Sequence, residues 1–422
     1  MEKYSEYMDS GVEWLGEIPN HWEVLALKHI LKIRKEVVGK KASQYDLLSL
    51  TLQGIIKRDM DNPTGKFPSS FDTYQVAYPN DFIFCNFDNE ETPRAVGLSG
   101  YKGMITGAYD VLYRKNDKLT DRFLLYYFLY IDDGKRFKPL YKGLRKTIPF
   151  DSFMSYKIPV PDVNEQDAIV RYLDSQTSKI DEAIAQQQKM IDLLNERKQI
   201  IINNAVTKGL DSNAPMKDSG VDWIGMIPEH WEIRKGKFIF DIINDLSITG
   251  EEELLTVSDK TGITPRSMKN VTMFQSESLV GYKKCQIGDI CSNIMWMWHA
   301  AVGVTKYEGV ISPSYGVYRQ KRKDFNDDFL DYVLRLPQLV DVYKMLSTGL
   351  TESRLRLYPY QFMSIPFFIP PINEQIRIVE SVKKDVETLE QTIIDSYKMI
   401  ALLQERKQII INEVVTGKVK VS

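Results

Sequence analysis

Cysteine, histidine and long apolar runs are all scarce in this sequence of 422 residues, and each shortage removes a class of function. Cys85, Cys285 and Cys291 are odd in number and show no C-x-x-C spacing. That argues against a disulfide framework or a zinc site and fits a reducing compartment. Four histidines leave little room for a histidine-rich metal centre, so no metal is expected. No stretch approaches the roughly 20 apolar residues of a spanning helix, and the opening MEKYSEY lacks the basic and apolar regions of a secretory signal. A cytoplasmic protein without membrane contact is expected. Nucleotide signatures are missing too. Gly39-Lys40, Gly65-Lys66 and Gly236-Lys237 lack both the upstream glycine and the following Ser or Thr of a phosphate loop. Asn62-Pro63-Thr64-Gly65 is the nearest approach to the Asn-Pro-Pro-Tyr-type motif of amino-methyltransferases. No glycine-rich strand–turn–helix suits a nucleotide or S-adenosylmethionine. No catalytic residue is therefore assigned.

Net charge is also small, −2, but it is unevenly spread. Residues 24–157 hold 22 Lys+Arg against 15 Asp+Glu, and residues 233–366 hold 17 against 15, so both segments are basic within an acidic remainder. Local positive charge of this kind is what a phosphate-binding surface needs, and the whole-chain balance hides it.

What the sequence does have is a repeat. Residues 10–23, SGVEWLGEIPNHWE, match residues 219–232, SGVDWIGMIPEHWE, at ten of fourteen positions and an offset of 209. Residues 192–207, DLLNERKQIIINNAVT, match residues 401–416, ALLQERKQIIINEVVT, at twelve of sixteen positions and the same offset. The chain is a tandem duplication. Between these landmarks the likeness fades: Gly143-Leu144 matches Gly349-Leu350 at 206, and Phe153-Met-Ser returns to 209 against Phe362-Met-Ser. Similar ends with divergent middles describe a fixed frame carrying two different surfaces.

Each repeat ends in a long helix. A proline, a capping Asn164 or Asn373 and acidic first-turn residues signal the two starts. Leu173, Ile180, Leu194 and Ile201 then recur by heptads beside Val170, Ile184, Ile191 and Ala205. Val382, Leu389, Leu403 and Ile410 repeat the pattern beside Val379, Val386, Ile393, Ile400 and Val414. Such stripes predict coiled-coil packing of one helix on the other, antiparallel if a two-fold axis relates the halves. Gln187 and Ser396, and Lys198 and Lys407, interrupt equivalent rows, as register-fixing polar layers do. Gly209 and Gly417 supply the stops. The divergent middles read as mixed α+β, with β-rich runs at Asp81-Phe-Ile-Phe-Cys, Ala108-Tyr-Asp-Val-Leu-Tyr and Ser314-Tyr-Gly-Val-Tyr, and helices near 121–131 and 327–336.

SGVEWLGEIPNHWE, its copy, and the Pro…Asn-Glu-Gln start of each long helix resemble the specificity subunits of type I restriction-modification systems, over essentially the whole chain. The resemblance implies an α+β, internally duplicated fold: two globular mixed α/β target recognition domains joined by two long antiparallel coiled-coil helices. Residues 1–157 would hold the first domain, 158–210 the first spacer helix, 211–366 the second domain and 367–422 the second helix. It also implies a non-catalytic reader of a bipartite, asymmetric site on double-stranded DNA. Two modification subunits carrying S-adenosylmethionine would dock on the frame, and restriction subunits would supply ATP- and Mg-dependent chemistry. A system that only methylates is equally compatible with the chain. The alternative of another class is a coiled-coil scaffold that never touches DNA, which salt-dependent duplex binding would separate from a reader.

Candidate DNA contacts are basic residues in Gly/Pro/Ser-rich loops: Lys57, Arg58, Lys66, Arg94, Lys142, Arg145 and Lys146 in the first half, and Arg354 and Arg356 in the second. Lys260, Arg266 and Lys269 form a further cluster. Arg can read guanine bidentately, whereas Lys more often binds phosphate. Trp14, His21 and Trp22, with Trp223, His230 and Trp231, read as a packing elbow rather than a catalytic set. Trp296 and Trp298 are expected on the buried face of a strand.

Overall fold

In a computed structural model, residues 2–60, 68, 70–269, 278–351 and 354–421 are described. The chain divides into two compact units, residues 1–188 with 397–422, and residues 189–396. Each unit holds one domain and a part of each long helix.

In the first half β1 (Tyr7–Asp9), β2 (Glu17–Pro19), β3 (Glu23–Ala26), β4 (Leu31–Ile33), β5 (Leu48–Thr51), β6 (Gly54–Lys57), β7 (Gln75–Ala77), β8 (Phe82–Phe84), β9 (Val96–Leu98), β10 (Gly103–Ile105) and β11 (Asp110–Arg114) precede α1 (Asp121–Asp133) and α2 (Phe150–Met154). Then β12 (Lys157–Val160) leads into α3 (Val163–Lys208). The second half repeats the order with β13 (Met216–Asp218), β14 (Met226–Pro228), β15 (Glu232–Lys235), α4 (Gly236–Ile239), β16 (Phe240–Ile242), β17 (Leu255–Ser258), β18 (Gly262–Pro265), β19 (Lys283–Cys285), β20 (Ile290–Ser292), β21 (Val302–Val304), β22 (Gly309–Ile311) and β23 (Gly316–Gln320). After them come α5 (Asp327–Leu334), α6 (Pro337–Leu346), α7 (Pro359–Phe362), β24 (Pro366–Ile369) and α8 (Ile372–Val415).

The duplication that sequence shows only at its ends is complete in the topology. The four-stranded sheet β4-β11-β8-β9 has its counterpart in β16-β23-β20-β21, and each of the pairs β1-β2, β5-β6, β7-β10 and β3-β12 has its own. Every described ladder between these strands is antiparallel. Buried Phe82, Phe84, Leu112, Phe123, Tyr127 and Phe153 fill the first core, and Phe240, Ile290, Tyr318, Phe329, Tyr343 and Phe362 the second.

The long helices differ from expectation at their starts. Asp162, not Asn164, caps α3: its Oδ1 accepts from the backbone N–H of Asn164 at 3.0 Å and of Glu165 at 3.1 Å. In α8 the equivalent position is Pro371, whose carbonyl accepts from Glu374 N at 2.9 Å. Asn164 and Asn373 sit inside the first turn, past the position from which a side chain caps the orphan N–H groups. The stops hold: Gly209 at φ 74° and Gly417 at φ 73° take the left-handed conformation that glycine adopts without strain.

Within each unit the helices run antiparallel. In the first, Lys407 Nζ meets Asp181 at 2.7 Å, while toward the start of α3 Glu165 lies by Trp22, against which Gly417 also packs. In the second, Lys198 pairs with Glu390, and Gly209 packs beside Glu374. The 209-residue shift turns one lysine pair into the other. These two lysines interrupt the apolar rows because each reaches across to a carboxylate of the partner helix.

Candidate nucleic-acid interface

A joint ties each domain to the start of its long helix. Glu165 accepts from Trp22 Nε1 at 2.9 Å, Tyr4 Oη at 2.6 Å and lies 3.0 Å from His21 Nε2. Glu374 accepts from Trp231 Nε1 at 3.2 Å and lies 2.7 Å from His230 Nε2. The next residue, Gln166, is fully buried: its Oε1 accepts from Thr120 N at 2.7 Å, and its Nε2 donates to the carbonyls of Lys118 at 2.8 Å and Pro161 at 2.9 Å. Gln375 does the same for Asn326 N, Asp324 O and Pro370 O at 2.8, 2.9 and 2.8 Å. Thr120 and Asn326 are the N-caps of α1 and α5. The repeated Glu-Gln thus fastens the helix to the His-Trp elbow on one side and to the domain's own helix on the other. The histidines serve this packing.

The basic loop 142–147 is a hairpin. Lys142 and Thr147 exchange both backbone bonds, at 2.9 and 3.0 Å, and Ile148 N is anchored on Asn86 O at 2.9 Å. Thr348 and Arg356 close the corresponding hairpin with two bonds of 2.9 Å, and Leu357 N is anchored on Ile294 O at 3.0 Å. Arg145 and Arg354 are exposed, as is Lys142. Lys146 sits at φ 47° and is held by Glu90, which also pairs with Lys138 at 3.1 Å. Hydrogen bonds from Lys146 and Lys138 keep the Glu90 carboxyl below the usual carboxylate range.

Beside each hairpin lies a loop that leaves the same two strands in both domains: residues 86–94 between β8 and β9, and residues 294–300 between β20 and β21. The first is NFDNEETPR and the second IMWMWHA. Trp296 and Trp298 are not on a strand, which corrects the expectation of a buried pair. They stack with centroids 6.0 Å apart and planes at 9°, His299 lies 3.8 Å from Trp298, and Trp296 is 53% exposed. A tight turn at residues 297–299 breaks the alternation and buries Met297 in their place.

The remaining candidates lie elsewhere. Lys57 ends β6, pairs with Asp46 at 2.6 Å and sits over the Tyr101 ring. Arg58 and Arg266 occupy one structural position, each donating its backbone N–H at 2.8 Å, to Leu47 O and Leu254 O. Lys260 is exposed in the turn between β17 and β18, and Lys269 is half-buried after β18. Arg94 is drawn toward the buried Asp132, 4.0 Å away. Lys66 lies outside the described residues. Among the described candidates the structure therefore brings Lys142, Arg145 and Lys146 together, and Arg354 with Arg356, sets Arg94 half-buried at the end of loop 86–94, and leaves the rest on or beside the small β5-β6 and β17-β18 ribbons.

The family model described as "Type I restriction modification DNA specificity domain" matches residues 96–191 and 228–398, more than half of the chain. The chain belongs to this DNA specificity family. It is 23% identical over 443 residues to the "Putative type I restriction enzyme MjaX specificity subunit" of Methanocaldococcus jannaschii, covering 96% of both chains. It is 24% identical over 424 residues to the "Type I restriction enzyme MjaVIII specificity subunit" of the same organism, covering 96% of this chain and 94% of that one. Its fold is similar, at a TM-score of 0.66 and 15% identity, to a chain of the solved structure described as "Structural basis underlying complex assembly and conformational transition of the type I R-M system", with 95% and 99% of the two chains covered.

For a specificity chain, sequence reasoning missed two things. The Glu-Gln joint is visible as a repeated motif, yet most of its partners, such as Thr120, Trp22 and Tyr4, lie 46, 143 and 161 residues away in sequence, beyond any local pattern. Glu90 carries no signal of its own in the sequence, although an acidic residue in a basic domain sets which cations stay available.

Proposed function

We propose that this chain is the specificity subunit of a type I restriction-modification complex, with each domain reading one half of an asymmetric bipartite target on double-stranded DNA. The observation that carries this is a pair of domains with the same strand order, each locked by the same Glu-Gln joint to an antiparallel helix pair, but with unlike loops beside matched basic hairpins. The helices then act as a ruler that fixes the spacer between half-sites and offer two like surfaces to two modification subunits. Those subunits bring S-adenosylmethionine, and restriction subunits, where present, bring ATP and Mg. The chain itself contributes recognition and no chemistry, in the cytoplasm.

The test is to lengthen the ruler. The same number of residues separates Asp181 from Lys198 as separates Glu390 from Lys407, so an insertion in one helix alone would break a cross-helix pair. Four residues, close to one helical turn, inserted in both helices after Gln187 and after Ser396 preserve both pairs. Methylome sequencing of cells carrying the variant is expected to show the same two half-sites at a longer spacer. New half-site sequences at the old spacing would refute the ruler.

A further inference from the structure

The two hairpins share one feature that basic character does not explain. At the tip of the first, Leu144 is fully exposed, and at the equivalent place in the second, Leu350 is 95% exposed. Both follow a glycine that the backbone demands, for different reasons. Gly143 takes φ 68°, and a Cβ on Gly349 would lie 2.5 Å from the Arg354 carbonyl oxygen. Two hairpins of different length and different flanking sequence thus arrive at one arrangement, a leucine lifted off the domain on a closed base.

We propose that Leu144 and Leu350 are wedges that enter the DNA of their half-sites and open a base step. This rests on the DNA-reading function argued above. A leucine so exposed gains from any apolar cover, and the cover must suit its neighbours. The same hairpins carry cations: Lys142, Arg145 and Lys146 beside Leu144, and the exposed Arg354 four residues after Leu350. A protein partner gives such a tip apolar cover but leaves the cations to be matched one by one. Duplex DNA offers both, phosphates for the cations and the apolar faces of stacked bases for the leucine. An apolar side chain between base pairs forms no directional bond, so one residue serves two domains whose adjoining loops, 86–94 and 294–300, differ in every chemical respect. The wedge therefore adds sensitivity to how easily the step unstacks, on top of whatever the arginines read directly.

The test uses the chain assembled with its modification subunits and duplexes carrying 2-aminopurine at successive positions of each half-site, avoiding the methylated adenine. Binding is expected to raise the fluorescence at one step per half-site. Leu144→Ser is expected to abolish the rise in one half-site only and Leu350→Ser in the other, each weakening specific binding about tenfold, the worth of burying one such side chain. Leu144→Met is expected to keep the signal. Unaltered fluorescence in both serine variants overturns the wedge, as does a loss of modification subunit from the assembly at unchanged DNA distortion. If Arg145→Ala weakens recognition while the serine variants change neither signal nor affinity, DNA reading by the hairpins stands and the wedge alone falls.

Discussion

Loops 86–94 and 294–300 leave the same pair of strands, return to the same sheet and anchor the same hairpin, yet one carries three carboxylates and the other two tryptophans. In the first domain Glu90 takes Lys146 and Lys138 as partners and neutralises part of the hairpin's charge. In the second no carboxylate is present between Ile294 and Ala300, and an exposed stacked ring set occupies the place. The frame tolerates this because what it takes from the loops is mostly backbone, the Asn86 and Ile294 carbonyls that anchor the hairpins, together with a few buried side chains such as Asn89 and Met297. The same freedom appears deeper down. Asp81 and Asp289 are both buried in the turn before the second strand of the sheet, and each is held by an arginine in two hydrogen bonds. Arg34 reaches Asp81 from the end of β4, whereas Arg319 reaches Asp289 from β23. One buried charge must be paired, but the fold does not dictate which strand supplies its partner.

If the joints are the constant part and the loops the variable part, breaking a joint should cost the same in both domains. Gln166→Leu and Gln375→Leu each leave one partly buried N–H, one partly buried carbonyl and one buried carbonyl without the glutamine that satisfies them. Each is expected to cost about 2–4 kcal/mol in stability, at the scale of unsatisfied buried groups, and to lower methylation at the whole target. Denaturation of the two variants checks it; a large difference between them would show that the joints are not equivalent.

The second prediction addresses the loops. Glu90→Gln frees Lys146 and Lys138, and the log–log salt slope of DNA binding is expected to steepen by about 0.9–1.8, one or two phosphate contacts. The sign of the pH effect follows from the depressed Glu90 carboxyl. A group lowered in the folded state keeps its stabilising charge above the unfolded value and loses it only as pH falls through the folded one. Glu90 should therefore stay paired to a lower pH than an unperturbed carboxylate would, and the wild-type slope should steepen only as pH falls through that lowered value. A slope that steepens as early as a free carboxylate titrates would mean the ion pairs are not formed in solution.

Much of this architecture is legible in sequence, and the boundary of legibility has a physical cause. The repeat, the heptad rows and the glycine stops are periodic or local, so they appear in the order of residues. Asp162 and Asn164 are both good capping types two residues apart, so the sequence alone does not separate them as the cap. Trp296 and Trp298 defeat the alternation rule because the segment turns at residues 297–299 instead of running on as a strand. Leu144 and Leu350 align in the sequence, but nothing in a sequence says that a leucine faces water. Exposure of that kind is decided by the hairpin closing beneath it.

The smallest effect belongs to the cross-helix pairs. Lys198–Glu390 and Lys407–Asp181 are partly exposed, and such pairs are worth about 0.2–1 kcal/mol each in water. Lys198→Met and Lys407→Met should therefore barely change stability, and an apolar side chain in the heptad row could offset the lost pair outright. What the lysines add is discrimination between registers. A one-heptad slip of the antiparallel helices would still bring apolar rows together, but it would leave both lysines facing new partners. The double Lys→Met variant is thus expected to remain folded while the helices lose their single register. Cysteine pairs placed at the Lys198–Glu390 level and one heptad away read this directly: cross-linking should be confined to the native level in the parent chain and spread to both in the variant. Equal confinement in both chains would place the register in the apolar packing alone.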